Sequence, residues 1–276
     1  MNFTLNCNGK LIDTSTPLVM GVINATPDSF YDGGQYTILE SAMNRIEQIV
    51  EEGCDIIDIG GMSSKPGAKI IDPQEELKRV LPIISAARIR FPNIPISIDT
   101  IHSEVAKSAI EAGANIVNDI SGGEVDPKIW DVCIEHSVPY ILMHMQGRPE
   151  NMQDNPTYDD VVFDILNYLK TKVVQLRKRG LKDIILDPGF GFGKTIDQNY
   201  SLLKKLSVFK ILECPVLIGL SRKSMIYKLL EGTPQSALNG TTAAHMIALM
   251  NGAQILRVHD VKEAVECVKI YRQVAN

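Results

Sequence analysis

The chain has 276 residues, 45% of them hydrophobic and 22% charged, with a formal net charge of −5. That is enough apolar material to bury one α/β core, and neither the acidic balance nor any long Lys/Arg run offers a nucleic-acid surface. The five cysteines are scattered and odd in number, with no C-x-x-C pair, which fits a reduced, cytoplasmic protein.

In chain order, Phe3 to Cys7 and Lys10 to Ile12 flank Asn8-Gly9, a dipeptide suited to a type I′ turn, so a hairpin is expected over about residues 3–12. Eight short apolar runs come next: Leu18–Ile23, Cys54–Ile59, Ile94–Ile98, Asn115–Val117, Val138–Met143, Asp183–Leu186, Pro215–Gly219 and Gln254–Val258. Segments with helical apolar spacing separate them, such as Ala42, Ile46, Ile49, Val50 and Val105, Ala109, Ala112. Eight strand-helix units in sequence predict a (β/α)₈ TIM barrel over about residues 18–276, one domain with the hairpin plugging the barrel floor. The cluster Arg177, Lys178, Arg179 reads as a helix end, where cations complement the dipole. No apolar run reaches membrane-spanning length, and no basic segment leads into an apolar one near the N-terminus.

Each run ends in polar residues: Asn24, Asp58, Asp99, Asn118 with Asp119, His144, Asp187, Ser221 to Lys223, and Arg257 with His259. In this architecture those ends converge on one mouth. The segments 24–36 and 60–73 are rich in turn formers and are the loops expected to move over a ligand. The segment Asp187-Pro-Gly-Phe-Gly-Phe-Gly-Lys194 invites a phosphate-loop reading, but proline stands at 188 where that loop needs glycine, and the dinucleotide spacing also fails. The glycines instead predict a tight turn under a flat ligand.

Taken singly, these residues have bland explanations. Asp187 could cap the turn after it, Asn118 could be a turn residue, and Asp99 could cap a helix over about His102 to Ala112. Arg257 could pair with Asp260. Lys223 could form a Schiff base. The methionines beside His144, Met143 and Met145, could be filler.

Four motifs in register change the balance: Met20 to Gly34, Asp187 to Lys194, Gly219-Leu-Ser-Arg-Lys223 and Arg257-Val-His259-Asp260. From about Leu18 to the C-terminus the chain resembles the dihydropteroate synthases, barrels of the pterin-binding family. The resemblance implies joining of a pterin-methyl diphosphate to p-aminobenzoate with release of diphosphate, a step in folate synthesis and the target of sulfonamides. It implies that Asp187 accepts the two donors of the pterin edge, a charge-assisted pairing, that Asn118 and Asp99 line the same pocket, and that Lys223 donates to the pterin. It implies that Arg257 and His259 clamp the diphosphate, that Asn24 is the ligand of a Mg²⁺, and that the chain forms a homodimer. Ser224 is expected near the second substrate's carboxylate, and Pro27, Asp28, Phe30, Pro66 and Phe192 along its pocket and loops. Asp58 closes the second strand before Gly60-Gly61-Met62-Ser63-Ser64-Lys65-Pro66-Gly67, where the family more usually reads Gly-Gly-Glu-Ser-Thr-Arg-Pro-Gly. Ser64 keeps the hydroxyl, whereas Met62 departs and Lys65 keeps a charge without the guanidinium fork.

The nearest rival is a barrel that presents methyltetrahydrofolate to a corrinoid protein; it would not need Arg257, His259 and Asn24 as a diphosphate clamp. A glycosidase or metal hydrolase built on Asp58, Asp99 and Asp187 is disfavoured by 6% aromatic residues, a single Trp and no metal-ligand spacing of histidines.

Overall fold

The computed structural model describes residues 2–7, 9–26, 35–63, 67–147, 152 and 154–275. Asn8 of the expected turn, and Pro27, Asp28, Phe30, Ser64, Lys65 and Pro66 of the expected site, lie outside the described residues.

Strands β1 (Thr4–Cys7) and β2 (Lys10–Asp13) form the expected antiparallel hairpin. The eight barrel strands are β3 (Leu18–Asn24), β4 (Ile56–Gly60), β5 (Ile96–Asp99), β6 (Ile116–Asp119), β7 (Tyr140–Met143), β8 (Ile184–Asp187), β9 (Leu217–Ile218) and β10 (Ile255–Val258). All pair in parallel, in the order β8-β7-β6-β5-β4-β3-β10-β9. A bridge between Leu186 and Val216 joins the two ends and closes the ring. Several strands run further toward the C-terminus than the apolar runs alone indicate, so Asn24, Asp99 and Asp187 are last residues of strands rather than residues beyond them. Polar residues can end these strands because alternate positions point into the barrel mouth.

That alternation organises the interior. Leu18, Met20, Ile56, Ile116, Ile141, Ile185, Leu217 and Ile255 form one apolar cluster with Leu5 and Cys7 of the hairpin, which therefore plugs the floor. Each such fully buried aliphatic side chain contributes roughly 1.5–3 kcal/mol. The intervening residues, such as Ile57, Ile98, Val117, Leu142, Leu186 and Leu256, belong to the larger cluster shared with the helices.

The helices that matter for the site are α1 (Gln35–Glu51), α2 (Pro73–Arg90), α3 (Ser103–Glu111), α4 (Ile129–His136) and α5 (Val161–Lys178), then α6 (Ile196–Lys204), α7 (Ser224–Tyr227), α8 (Leu238–Met250) and α9 (Val261–Ala275). Helix α2 starts on Asp72, which accepts the Gln74 N–H, with Pro73 at the first helical position. Helix α6 has a capping box between Thr195 and Gln198. Arg177 and Lys178 end α5 as expected. Among the described residues no helix is long and apolar enough to cross a membrane. All five cysteines are buried free thiols.

Candidate active site

Two residues above the apolar floor, the inward positions turn polar. Ile56 gives way to Asp58 on β4, Ile116 to Asn118 on β6, Ile185 to Asp187 on β8 and Ile255 to Arg257 on β10. β5 contributes Ser97 and then Asp99, both buried. The strand period of two thus stacks a charged layer directly on a dry one. Arg257 lies between two carboxylates, with Nε 2.6 Å from Asp58 Oδ2 and Nη2 2.5 Å from Asp99 Oδ2. Asn118 Nδ2 donates to the same Asp58 oxygen at 3.3 Å. Asp58 Oδ1 is buried without a hydrogen-bond partner.

Neither alternative partner survives. Asp260 pairs with Arg222, through two bonds of 2.7 and 2.8 Å, not with Arg257. Asp99 does not cap α3, whose Ser103 N–H is accepted by Asp126 Oδ2 at 2.8 Å. The turn reading of Asp187 is half true: its Oδ1 accepts the Gly189 N–H at 2.7 Å. A carboxylate tied by one oxygen keeps a fixed plane and can turn its other oxygen to a ligand.

Burial pushes the Asp99 carboxyl up to about 7, with Asp58, Asp119 and Asp187 adding to the shift and Arg257 opposing it. Burial also raises Asp187, against the pull of Lys223, the Gly189 N–H, Arg257 and Lys194. Lys223 falls to about 8 because its ammonium is desolvated and near Arg257, although Asp187 favours its charge. It donates to Phe190 O and stands 4.5 Å over the Phe192 ring. Phe192 joins Met62, Ile101, Ile120, Met143 and Met152 in an apolar cluster apart from the main core, with Met145 packed against it. Charged residues and a flat apolar wall therefore share one mouth, which suits a planar ligand with a polar edge.

The glycine turn behaves as its spacing predicts. Gly189, Gly191 and Gly193 have φ of +72°, +79° and +60°. A Cβ on Gly189 would stand 1.9 Å from His144 O, and one on Gly193 would stand 2.6 Å from Gln146 O. Only glycine allows this backbone to approach the segment after β7 so closely.

At the rim, exposed His259 follows β10, its Nδ1 3.2 Å from Ser221 Oγ. Ser224 opens α7 directly after Lys223. Asn24 ends β3 with its side chain exposed. His144 is buried, edge-on to Tyr168 at 4.9 Å, and burial with the nearby Lys194 drives it down to about 3.

A family model described as pterin binding enzyme matches residues 20–259. The chain is 43% identical to the dihydropteroate synthase of Escherichia coli K12 over 96% of its own length and 94% of that protein's. This chain belongs to the dihydropteroate synthase family. A Yersinia pestis dihydropteroate synthase solved as a sulfonamide drug complex superposes with a TM-score of 0.93 at 42% identity, covering 99% of both chains. The Xanthomonas albilineans dihydropteroate synthase with 4-aminobenzoic acid gives a TM-score of 0.93 at 38% identity, over 100% of this chain and 99% of that one.

Against that family, the structure brings together Asp58, Asp99, Asn118, Asp187, Lys223 and Arg257, and sets Asn24, His259, Phe192 and Ser224 around them. Three neighbours escape sequence reasoning. Ser221 stands out only as part of a strand end, yet it holds His259. Lys194 reads only as the close of the glycine turn. Glu76, fully buried with Oε1 unpartnered, accepts from Thr100 Oγ1 at 3.1 Å beside Asp99. It sits in the run Gln74-Glu75-Glu76, where nothing but the helical phase marks one acid as inward-facing.

Proposed function

We propose that this chain catalyses the family reaction, condensing (7,8-dihydropterin-6-yl)methyl diphosphate with p-aminobenzoate to give dihydropteroate and diphosphate. The observation that carries the reading is the placement of Asp187: a buried carboxylate bonded to the Gly189 N–H, in the same barrel layer as Asn118 and near Lys223, which lies over the Phe192 ring of the apolar wall. It accepts the paired N–H donors of the pterin edge, a bidentate and charge-assisted contact. Lys223 donates to the pterin from the other side. In the reaction the methylene carbon loses its bond to diphosphate oxygen and gains one to the aromatic amine, which releases a proton. The chain's share is positioning and charge stabilisation of the leaving group by Arg257 and His259.

Among the described residues no group of three or more His, Cys, Asp or Glu side chains could hold a metal ion. The exposed amide oxygen of Asn24 is a hard donor at the mouth, and it fits a Mg²⁺ that takes its other ligands from diphosphate and water. When bound, Mg²⁺ would neutralise charge on the leaving diphosphate.

A homodimer is the second part of the proposal. Helix α8 is apolar nearly all round, and it packs on α9 while leaving Ile247 and Met250 exposed, as α9 leaves Ile270 and Val274. A helix with no polar face needs a second apolar neighbour. The buried free thiols support a reducing, cytoplasmic location. The methyltransferase alternative is not favoured, since the similar proteins are dihydropteroate synthases.

The test is incubation of the chain with the pterin diphosphate, p-aminobenzoate and Mg²⁺. Formation of dihydropteroate with one equivalent of diphosphate is expected. Absence of product from folded protein overturns the reading.

A further inference from the structure

Lys194 ends the glycine turn after β8, and the proposed chemistry leaves it without a role. It is 3% exposed, and none of its hydrogen-bond partners is a carboxylate. Its Nζ donates to Gly189 O at 2.7 Å and Phe192 O at 2.9 Å, and lies 3.4 Å from His144 O and 3.2 Å from His144 Nδ1. An ammonium has three N–H donors. With four acceptors around it, Lys194 keeps none for a phosphate or any other ligand. Here the lysine of a glycine-rich loop binds the loop itself.

The Gly189 peptide joins this cage to the site. Its carbonyl accepts from Lys194, and its N–H donates to Asp187 Oδ1 at 2.7 Å. Its φ of +72° and the 1.9 Å approach of a Cβ to His144 O show how tightly that residue is wedged. We propose that Lys194 is a positioning residue for Asp187, holding the Gly189 backbone so that the carboxylate keeps the plane in which it receives the pterin edge. This rests on the reading that Asp187 is the pterin acceptor.

A second consequence is electrostatic. The charged groups facing Asp187 are Lys223 after β9, Arg257 on β10, Lys194 in the turn and Asp99 on β5. Lys194 is among those that pull the Asp187 carboxyl down against burial. Burial drives Lys194 itself well below the ordinary lysine value, with Asp187 opposing and Lys223 adding to the fall, so this pull acts where its ammonium persists, on the acid side. There its removal favours the protonated acid, which cannot accept both pterin donors. The acid limb of pterin binding therefore moves to higher pH.

The experiment is a double-mutant cycle read by calorimetric affinity for 6-hydroxymethylpterin on the full chain, using Lys194→Met and Asp187→Asn. Lys194→Met alone is expected to weaken binding roughly tenfold or more, with its acid limb shifted up. In the Asp187→Asn background it is expected to change affinity less than about twofold, because the group it positions has lost its function. Equal losses in both backgrounds, with Asp187→Asn itself weakening binding, overturn this inference and leave the pterin reading standing. No loss in Asp187→Asn overturns both. Should Lys194→Met fail to fold, Lys194→Gln runs the same cycle; its retained N–H donors predict a smaller loss, which must still vanish in the Asp187→Asn background.

Discussion

Arg257 and Asp58 are 199 residues apart in the chain, yet their side chains meet at 2.6 Å inside the barrel. The pair exists because β10 and β4 both flank β3, so the closed ring leaves only one strand between the last strand and β4. Asp58 is fully buried, and Arg257 with Asn118 supplies its only hydrogen-bond donors among the described residues.

Arg257→Ala therefore has two effects. It weakens the diphosphate-bearing pterin far more than a pterin without diphosphate, and it costs about 3 kcal/mol or more of stability by stranding a buried carboxylate. In an Asp58→Asn background most of the stability loss disappears while the diphosphate preference does not return. Thermal melts and paired calorimetry separate the two; equal affinity losses for both ligands would place Arg257 in the pterin pocket instead.

If Lys223 donates to the pterin as proposed, binding is expected to have an alkaline limit. The folded-state pKa of Lys223 is lowered to about 8, so the ammonium is lost as pH rises through that value, and affinity is expected to decline above it. Between about 8 and the ordinary lysine value of 10.5 the unfolded chain binds the proton that the folded chain has released, so this group adds stability with rising pH in that window. Lys223→Met should bind weakly at all pH and show no alkaline limb. A limb that persists in that variant assigns it to another group.

Glu76 acts in the opposite direction. Burial raises its carboxyl from 4.5 to about 8, with Asp99 adding to the rise and Thr100 and Arg79 opposing it. Between those values the folded chain holds a proton that the unfolded chain has lost, so stability falls as pH climbs from about 4.5 to 8. Glu76→Gln, neutral and of the same shape, should raise Tm at pH 8 and change it little at pH 4.5. A stabilisation independent of pH would show that the carboxyl does not titrate in this window.

Charge placed on the α8 face tests the proposed dimer. Ile247→Glu combined with Met250→Glu alters two side chains that are 48% and 57% exposed in the monomer, so folding should be unaffected. Sedimentation equilibrium is expected to report dimer for the parent chain and monomer for the variant. A parent chain that is monomeric at tens of micromolar would remove the proposal.

Much of this molecule is determined by local pattern. Eight apolar runs separated by helical segments specify the barrel and send the polar strand ends to one mouth; that Asp58, Asn118, Asp187 and Arg257 share a layer follows from the strand period of two only once the register between strands is set. The glycine spacing excludes a phosphate loop for an equally local reason, and the Asn-Gly dipeptide marks the hairpin whose Leu5 and Cys7 fill the floor. Partnership is what the pattern cannot decide. Asp260 is three residues from Arg257 and pairs with Arg222; Arg257 pairs with Asp58 and Asp99, 199 and 158 residues away. Asp99 has the sequence context of a helix cap, but Asp126 takes that place. Lys194 and Glu76 become buried only when neighbouring loops and helices close over them. A charge buried in a protein is governed by whichever counter-groups the closed ring brings within a few ångströms, and only the tertiary structure sets that distance.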